Sequence, residues 1–110
     1  MTVTSTQTKG NGVSQRAVGR YVSDETAAAF TITTGFKPRY VKVVNLNASG
    51  DVMLEWFEGM ADASAVKTAI DGTRSVITTL GITVSDSGFT VGLDTDLNVI
   101  NEQLSWLAEN

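Results

Sequence analysis

From Tyr21 onward the apolar residues recur with a period of two. Ala28, Phe30 and Ile32 alternate with Ala29, Thr31 and Thr33, which predicts a strand with one apolar and one polar face, ended by Gly35. After Pro38 the run RYVKVVNLN places Tyr40, Lys42, Val44 and Leu46 on one face and Val41, Val43 and Asn45 on the other. Both faces are largely apolar, the mark of a central strand. Ser49-Gly50 before Asp51 signals a turn, and DVMLEWFE then sets Val52, Leu54 and Trp56 against Met53, Glu55 and Phe57. The two segments read as a hairpin.

Residues 59–71, GMADASAVKTAID, break the alternation. Ala61, Ala65, Val66 and Ala69 form a partial 3.6-residue stripe, Asp62 or Ser64 stands where an N-cap is wanted, and Gly72 closes the segment. One short helix between residues 60 and 70 is expected, too short to stand without a sheet to cover. Next come TRSVITT, GITVS, GFTVGL and QLSWLAE, separated by Gly81 and the cluster Ser85-Asp86-Ser87-Gly88. Short Thr/Val-rich strands at roughly ten-residue spacing predict a mostly β protein, an antiparallel β-sandwich or small barrel.

Composition sharpens this picture. Val, Ile and Thr supply 33 of the 110 residues, with ten Gly and one Pro, and the length suits one domain. The first twenty residues differ: they hold no Phe, Tyr, Trp, Leu or Ile, and carry Gly10, Gly12 and Gly19. They read as an extended N-terminal arm, residues 1–20, ahead of a single β-domain over 21–110. Lys9, Arg16 and Arg20 give the arm a formal +3, whereas the remainder holds 5 basic and 12 acidic side chains, a formal −7. Two readings stay open: a terminus whose cations only face water, or an arm that orders against a neighbouring subunit, with Lys9, Arg16 and Arg20 as partner-binding cations.

Candidate chemistry is sparse. The chain has no Cys and no His, which removes disulfides, thiolate nucleophiles, imidazole acid/base catalysis and the usual zinc ligands. A net charge of −4 disfavours nucleic acid. No apolar run approaches the ~18 residues of a membrane span, and residues 1–10 lack the apolar core of a signal peptide. Asp94, Asp96 and Asn98 have the spacing of a calcium loop, but Val99 and Ser105 stand where an EF-hand needs Gly and Glu, so a polar turn is expected. Glu55 and Glu58 are the best carboxylate pair for glycoside chemistry, yet three residues apart on a strand they diverge. Gly10-Asn11-Gly12 lacks the Lys-Ser/Thr of a phosphate loop, and Asn47-Ala48-Ser49 matches a glycosylation sequon without export to use it. Neither catalysis nor a cofactor or metal is expected. Met53, Trp56, Phe57, Trp106 and Leu107 are more apolar surface than so small a sandwich buries, which predicts self-association through them as a homo-oligomer.

Three segments of residues 35–91 carry a resemblance: GFKPRYVKVVNL, LEWFEGMADASAVKTAIDGTRSV and GITVSDSGFTVG. Together they resemble a family of small tailed-bacteriophage virion proteins, in which an aromatic-Arg-Tyr-Val-Lys-Val run, a Glu-Trp-Phe-Glu-Gly-Met hairpin and a Gly-Ile-Thr-Val-Ser-Asp turn recur. Here these fall on Phe36 to Asn45, Glu55 to Met60 and Gly81 to Phe89. The resemblance implies a head decoration or cement protein without an active site. Such a protein is made in the bacterial host cytoplasm and sits on the virion capsid surface, bound to the phage major capsid protein and to itself, with a trimer on local three-fold axes as the first expectation. The alternative is a carbohydrate-binding or host-attachment module of a phage fibre or tail. Trp56 and Trp106 separate the two, since an attachment module needs them open on a convex surface.

Overall fold

The period-two segments do become strands, because each can bury one face while its backbone is satisfied by neighbours. The computed structural model describes residues 15–22, 29–46, 52–94, 97–99 and 101–110. These form β1 (Arg16–Val22), β2 (Phe30–Thr33), β3 (Tyr40–Asn45), β4 (Met53–Phe57), β5 (Ser64–Thr68), β6 (Arg74–Ser85), β7 (Gly88–Val91) and β8 (Gln103–Glu109). All pair antiparallel in one eight-stranded sheet of order β1-β8-β3-β4-β5-β6-β7-β2. Right-handed twist curls the sheet into a half-barrel, so its two ends return toward each other. Two ring contacts bridge them: Tyr21 of β1 stacks on Phe30 of β2 at 4.0 Å, and Trp106 of β8 meets Phe89 of β7 edge-on at 5.5 Å.

The core lies inside this curl. Val41 and Val43 of β3, Leu54 and Trp56 of β4, Ile82 of β6, Phe89 and Val91 of β7, and Leu104 and Ala108 of β8 all point inward and are buried. Phe36 and Leu97 join them from loops.

Three expectations change. A sandwich is replaced by one sheet that packs against itself, the barrel-like solution to the same alternation. No helix occurs among the described residues, and residues 64–68 of the expected helix are strand β5. The cause is the turn that follows: Asp71 Oδ1 accepts the Thr73 N–H at 2.9 Å, Gly72 takes φ 88°, and Ala69 N–H donates to Thr73 C=O at 2.8 Å. This hairpin turn pairs Val66 with Val76 and Lys67 with Ser75, and the ladder outweighs a weak alanine stripe. Finally, Arg16 and Arg20, assigned to the arm, lie in β1, paired to β8 from Arg16↔Glu109 to Val22↔Gln103. Residues 1–14 of the expected arm, Lys9 among them, lie outside the described residues.

Candidate functional site

Because directly opposed residues share a face, the registers determine what the convex side of the sheet presents. One row across β1, β8, β3, β4, β5 and β6 reads Val18, Leu107, Lys42, Glu55, Val66, Val76. A second, toward one end, reads Arg20, Ser105, Val44, Met53, Thr68, Arg74. A third, at the other end, reads Arg16, Glu109, Tyr40, Phe57. The outer face therefore mixes apolar and charged side chains, with Lys42 and Glu55 opposite each other at its centre and arginines at its rim. Val18 is 68% exposed and Phe57 48% exposed, so this face is open to solvent.

The five residues expected to self-associate divide between the two faces. Met53, Phe57 and Leu107 lie on the outer face with Val18 and Val44. Trp56 and Trp106 point inward instead: Trp56 is 6% exposed, and the Trp106 indole lies over Gly19, where an added Cβ would stand 2.6 Å from Cζ2. Neither is an open aromatic platform, since each fills the space its strand must cover. Sequence reasoning missed Val18 as part of the outer field, although its i/i+2 relation to Arg16 and Arg20 marks that face. Arg16 Nε is 3.5 Å from Glu109 Oε1, and both side chains are exposed, so the pair contributes under about 1 kcal/mol and leaves the guanidinium accessible. Arg20 is exposed on the same face.

The carboxylates do not converge. Glu55 Oε2 accepts the Tyr40 O–H at 2.7 Å on the outer face, whereas Glu58 Oε2 pairs with Arg39 Nε at 3.0 Å at the strand's end. Burial of the phenol, then its bond to Glu55 and the charges of Glu55 and Glu109, raise the Tyr40 pKa well above the usual phenol range. Asp94 serves the fold: it takes Lys67 Nζ at 2.9 and 3.1 Å and the Leu97 N–H at 3.3 Å, as the expected polar turn requires. Its neighbour Asn45 donates to Leu97 C=O and to Glu102 Oε1, each at 2.9 Å, which holds Leu97 as a plug in one end of the curl. At the other end, Lys37, Arg39, Glu58, Met60 and Asp62 rim a cleft of about 550 Å³ with Trp56 and Val84 beneath. Two cations, Lys37 and Arg39, and two anions, Glu58 and Asp62, line it, and Arg39 pairs with Glu58, so no single sign of charge dominates there.

The chain matches no known protein family, no curated protein and no solved structure.

Proposed function

We propose that this protein is a non-enzymatic structural component of a tailed-bacteriophage virion, a decoration or cement protein on the capsid exterior that docks through the outer face of its sheet. The observation that carries the reading is the asymmetry of the two faces. The inner face is filled, and the outer one leaves Val18, Met53, Phe57 and Leu107 beside the rim cations Arg16 and Arg20. Exposed apolar side chains set among charged ones, with arginines at the rim, have the make-up of a protein–protein interface. Its partners are the major capsid protein and further copies of the chain, a trimer being the first expectation. The carbohydrate or host-attachment reading is weaker, because Trp56 and Trp106 face inward.

The test is addition of purified protein to capsids that lack it, read by electron microscopy and by co-sedimentation. Density over the capsid lattice is expected, with binding reduced by Val18→Asp or by Arg20→Glu. Capsids that stay bare at saturating protein would defeat the reading.

A further inference from the structure

We propose that the free side of β6 over residues 74–78 is a strand-acceptor edge, and that its occupant is an extended segment of the capsid partner with a carboxylate two positions from an apolar residue. The inference rests on the docking reading above and names what the partner supplies.

Different stretches of β6 are held on its two sides. Residues 74–77 pair with β5 and residues 82–85 with β7, and the register jumps between Ala65↔Ile77 and Ser64↔Ile82. The ladder with β7 does not reach the first stretch. Gly92 N–H donates to Gly81 C=O at 2.9 Å, and the chain then turns into the curl, where Asp94 meets Lys67 Nζ at 2.9 Å and Leu97 is buried. The backbone marks the point of departure. Leu80 takes φ 60°, which an L side chain rarely adopts, and a Cβ on Gly92 would stand 2.6 Å from the Leu80 carbonyl. Strain of this kind persists only where the surrounding structure demands it. Its result is a stretch of β6 that, among the described residues, has a ladder on one side alone.

The phase of the β5–β6 ladder shows what the other side presents. Ala69 N–H donates to Thr73 C=O at 2.8 Å, and residues of an antiparallel pair alternate between bonding to the partner and turning away. The register Thr68↔Arg74, Lys67↔Ser75, Val66↔Val76, Ala65↔Ile77 therefore bonds Ser75 and Ile77 to β5 and turns the N–H and C=O of Arg74 and Val76 to the free side. That side is open. Val76 on the outer face is 66% exposed, and Ser75 on the opposite face is exposed too, as are Arg74, Thr78 and Thr79. A strand lying alongside would shield both faces. Sheet edges are commonly guarded by Lys, Pro or an inward charge, whereas residues 74–79, RSVITT, carry only Arg74 at their start.

The edge dictates what it takes. Alternating N–H and C=O groups are matched by another extended backbone, and an added strand continues the outer-face row Val18, Leu107, Lys42, Glu55, Val66, Val76 by one residue. That residue faces Val76, so it is apolar. Two positions along, the added strand faces Arg74, the single charge of β6, which no ion pair joins among the described residues. A carboxylate there completes a charge-assisted contact. A second copy fits less well. Two β6 strands related about Val76 meet only over residues 74–78, because the Gly72 turn and the bulge end the free stretch, and so short a pairing falls far below the roughly 1,200 Å² of a specific interface. A segment of a protein already docked on the outer face needs no such area of its own, since the contact is continuous with that face.

Amide exchange and one proline test the edge. In the free monomer the Val76 N–H should exchange at least tenfold faster than those of Ser75 and Ile77, as NMR reads it. Slow exchange at Val76 would show the edge already covered, by the chain itself or by a second copy in a dimeric sample, and would overturn the proposal. On capsids that lacked the protein, hydrogen–deuterium exchange read by mass spectrometry should slow at Arg74 and Val76 by about tenfold or more and stay unchanged at Ser75 and Ile77. Val76→Pro removes an N–H that β5 does not use, so the hairpin is kept while co-sedimentation with those capsids should weaken by about tenfold or more. Val76→Thr keeps the N–H and should lose less; equal losses would assign the contact to the side chain and overturn strand addition. Arg74→Glu should weaken binding as well, and undiminished binding would refute the carboxylate. Capsids left bare by the wild type defeat the docking reading and this inference with it, whereas capsids bound with unchanged exchange at Val76 defeat the inference alone.

Discussion

Asp94 illustrates how a residue that looks like a ligand is consumed by the fold. Its carboxylate is nearly buried against Lys67 Nζ and the Leu97 N–H, so removing it takes a carboxylate 2.9 Å away from a largely buried ammonium. Asp94→Ala should lower stability by about 3 kcal/mol in urea titration, whereas the double change Lys67→Met/Asp94→Leu should lower it far less, because the ammonium is then removed together with its carboxylate. Tyr40 makes a pH prediction. Its raised pKa means that the native state keeps the phenolic proton after the unfolded chain has lost it. The stabilisation is therefore complete below the ordinary phenol value of 10.0 and is lost as pH rises above it. Tyr40→Phe should flatten the alkaline limb of the stability profile measured by thermal melting, and an unchanged limb would contradict the assignment.

At the scale of elements, the β5–β6 hairpin carries the main departure from local sequence preference. A helix over residues 60–70 satisfies the alanine spacing, but it leaves Val66 and Thr68 without the ladder they form with Val76 and Arg74. Gly72 at φ 88° is the residue that commits the chain to this turn. Gly72→Ala should destabilise the protein by about 1–2 kcal/mol, the usual penalty of a left-handed conformation with a Cβ, and circular dichroism should show no gain of helix. The hairpin β3–β4, by contrast, follows directly from its alternation, and its observed register from Tyr40↔Phe57 to Val44↔Met53 keeps the faces as the sequence alone groups them. Long-range pairing matters less where local pattern and ladder agree.

For the whole molecule, the consequence of a single curled sheet is that one face must be inside and the other must meet solvent or a partner. Replacing exposed outer-face residues should then act on association and not on folding. Val18→Ser with Phe57→Ser should change the melting free energy by less than about 1 kcal/mol and convert any oligomer to monomer in light scattering. A protein that is monomeric before the change would remove the self-association reading. The same geometry explains the partition of the five expected contact residues. On β4 the alternation already separates Trp56 from Met53 and Phe57, but both sets are apolar, and nothing local says which set is covered.

Period-two patterning by itself determined that the chain is β-rich, that residues 40–45 and 53–57 form a hairpin, and which side chains travel together on each strand, because those properties depend on neighbours one or two positions away. The absence of His and Cys limited the candidate chemistry in the same direct way. Only the tertiary structure decided which face is the core, that residues 64–68 are strand, that Trp106 lies over Gly19, and that Lys67 meets Asp94 across 27 positions. Each of these depends on the order β1-β8-β3-β4-β5-β6-β7-β2, which joins segments up to 95 residues apart, as Gln15 and Asn110 are. Curling buries one face at the expense of the other, and that choice is made by the fit of all eight strands together rather than by any one of them.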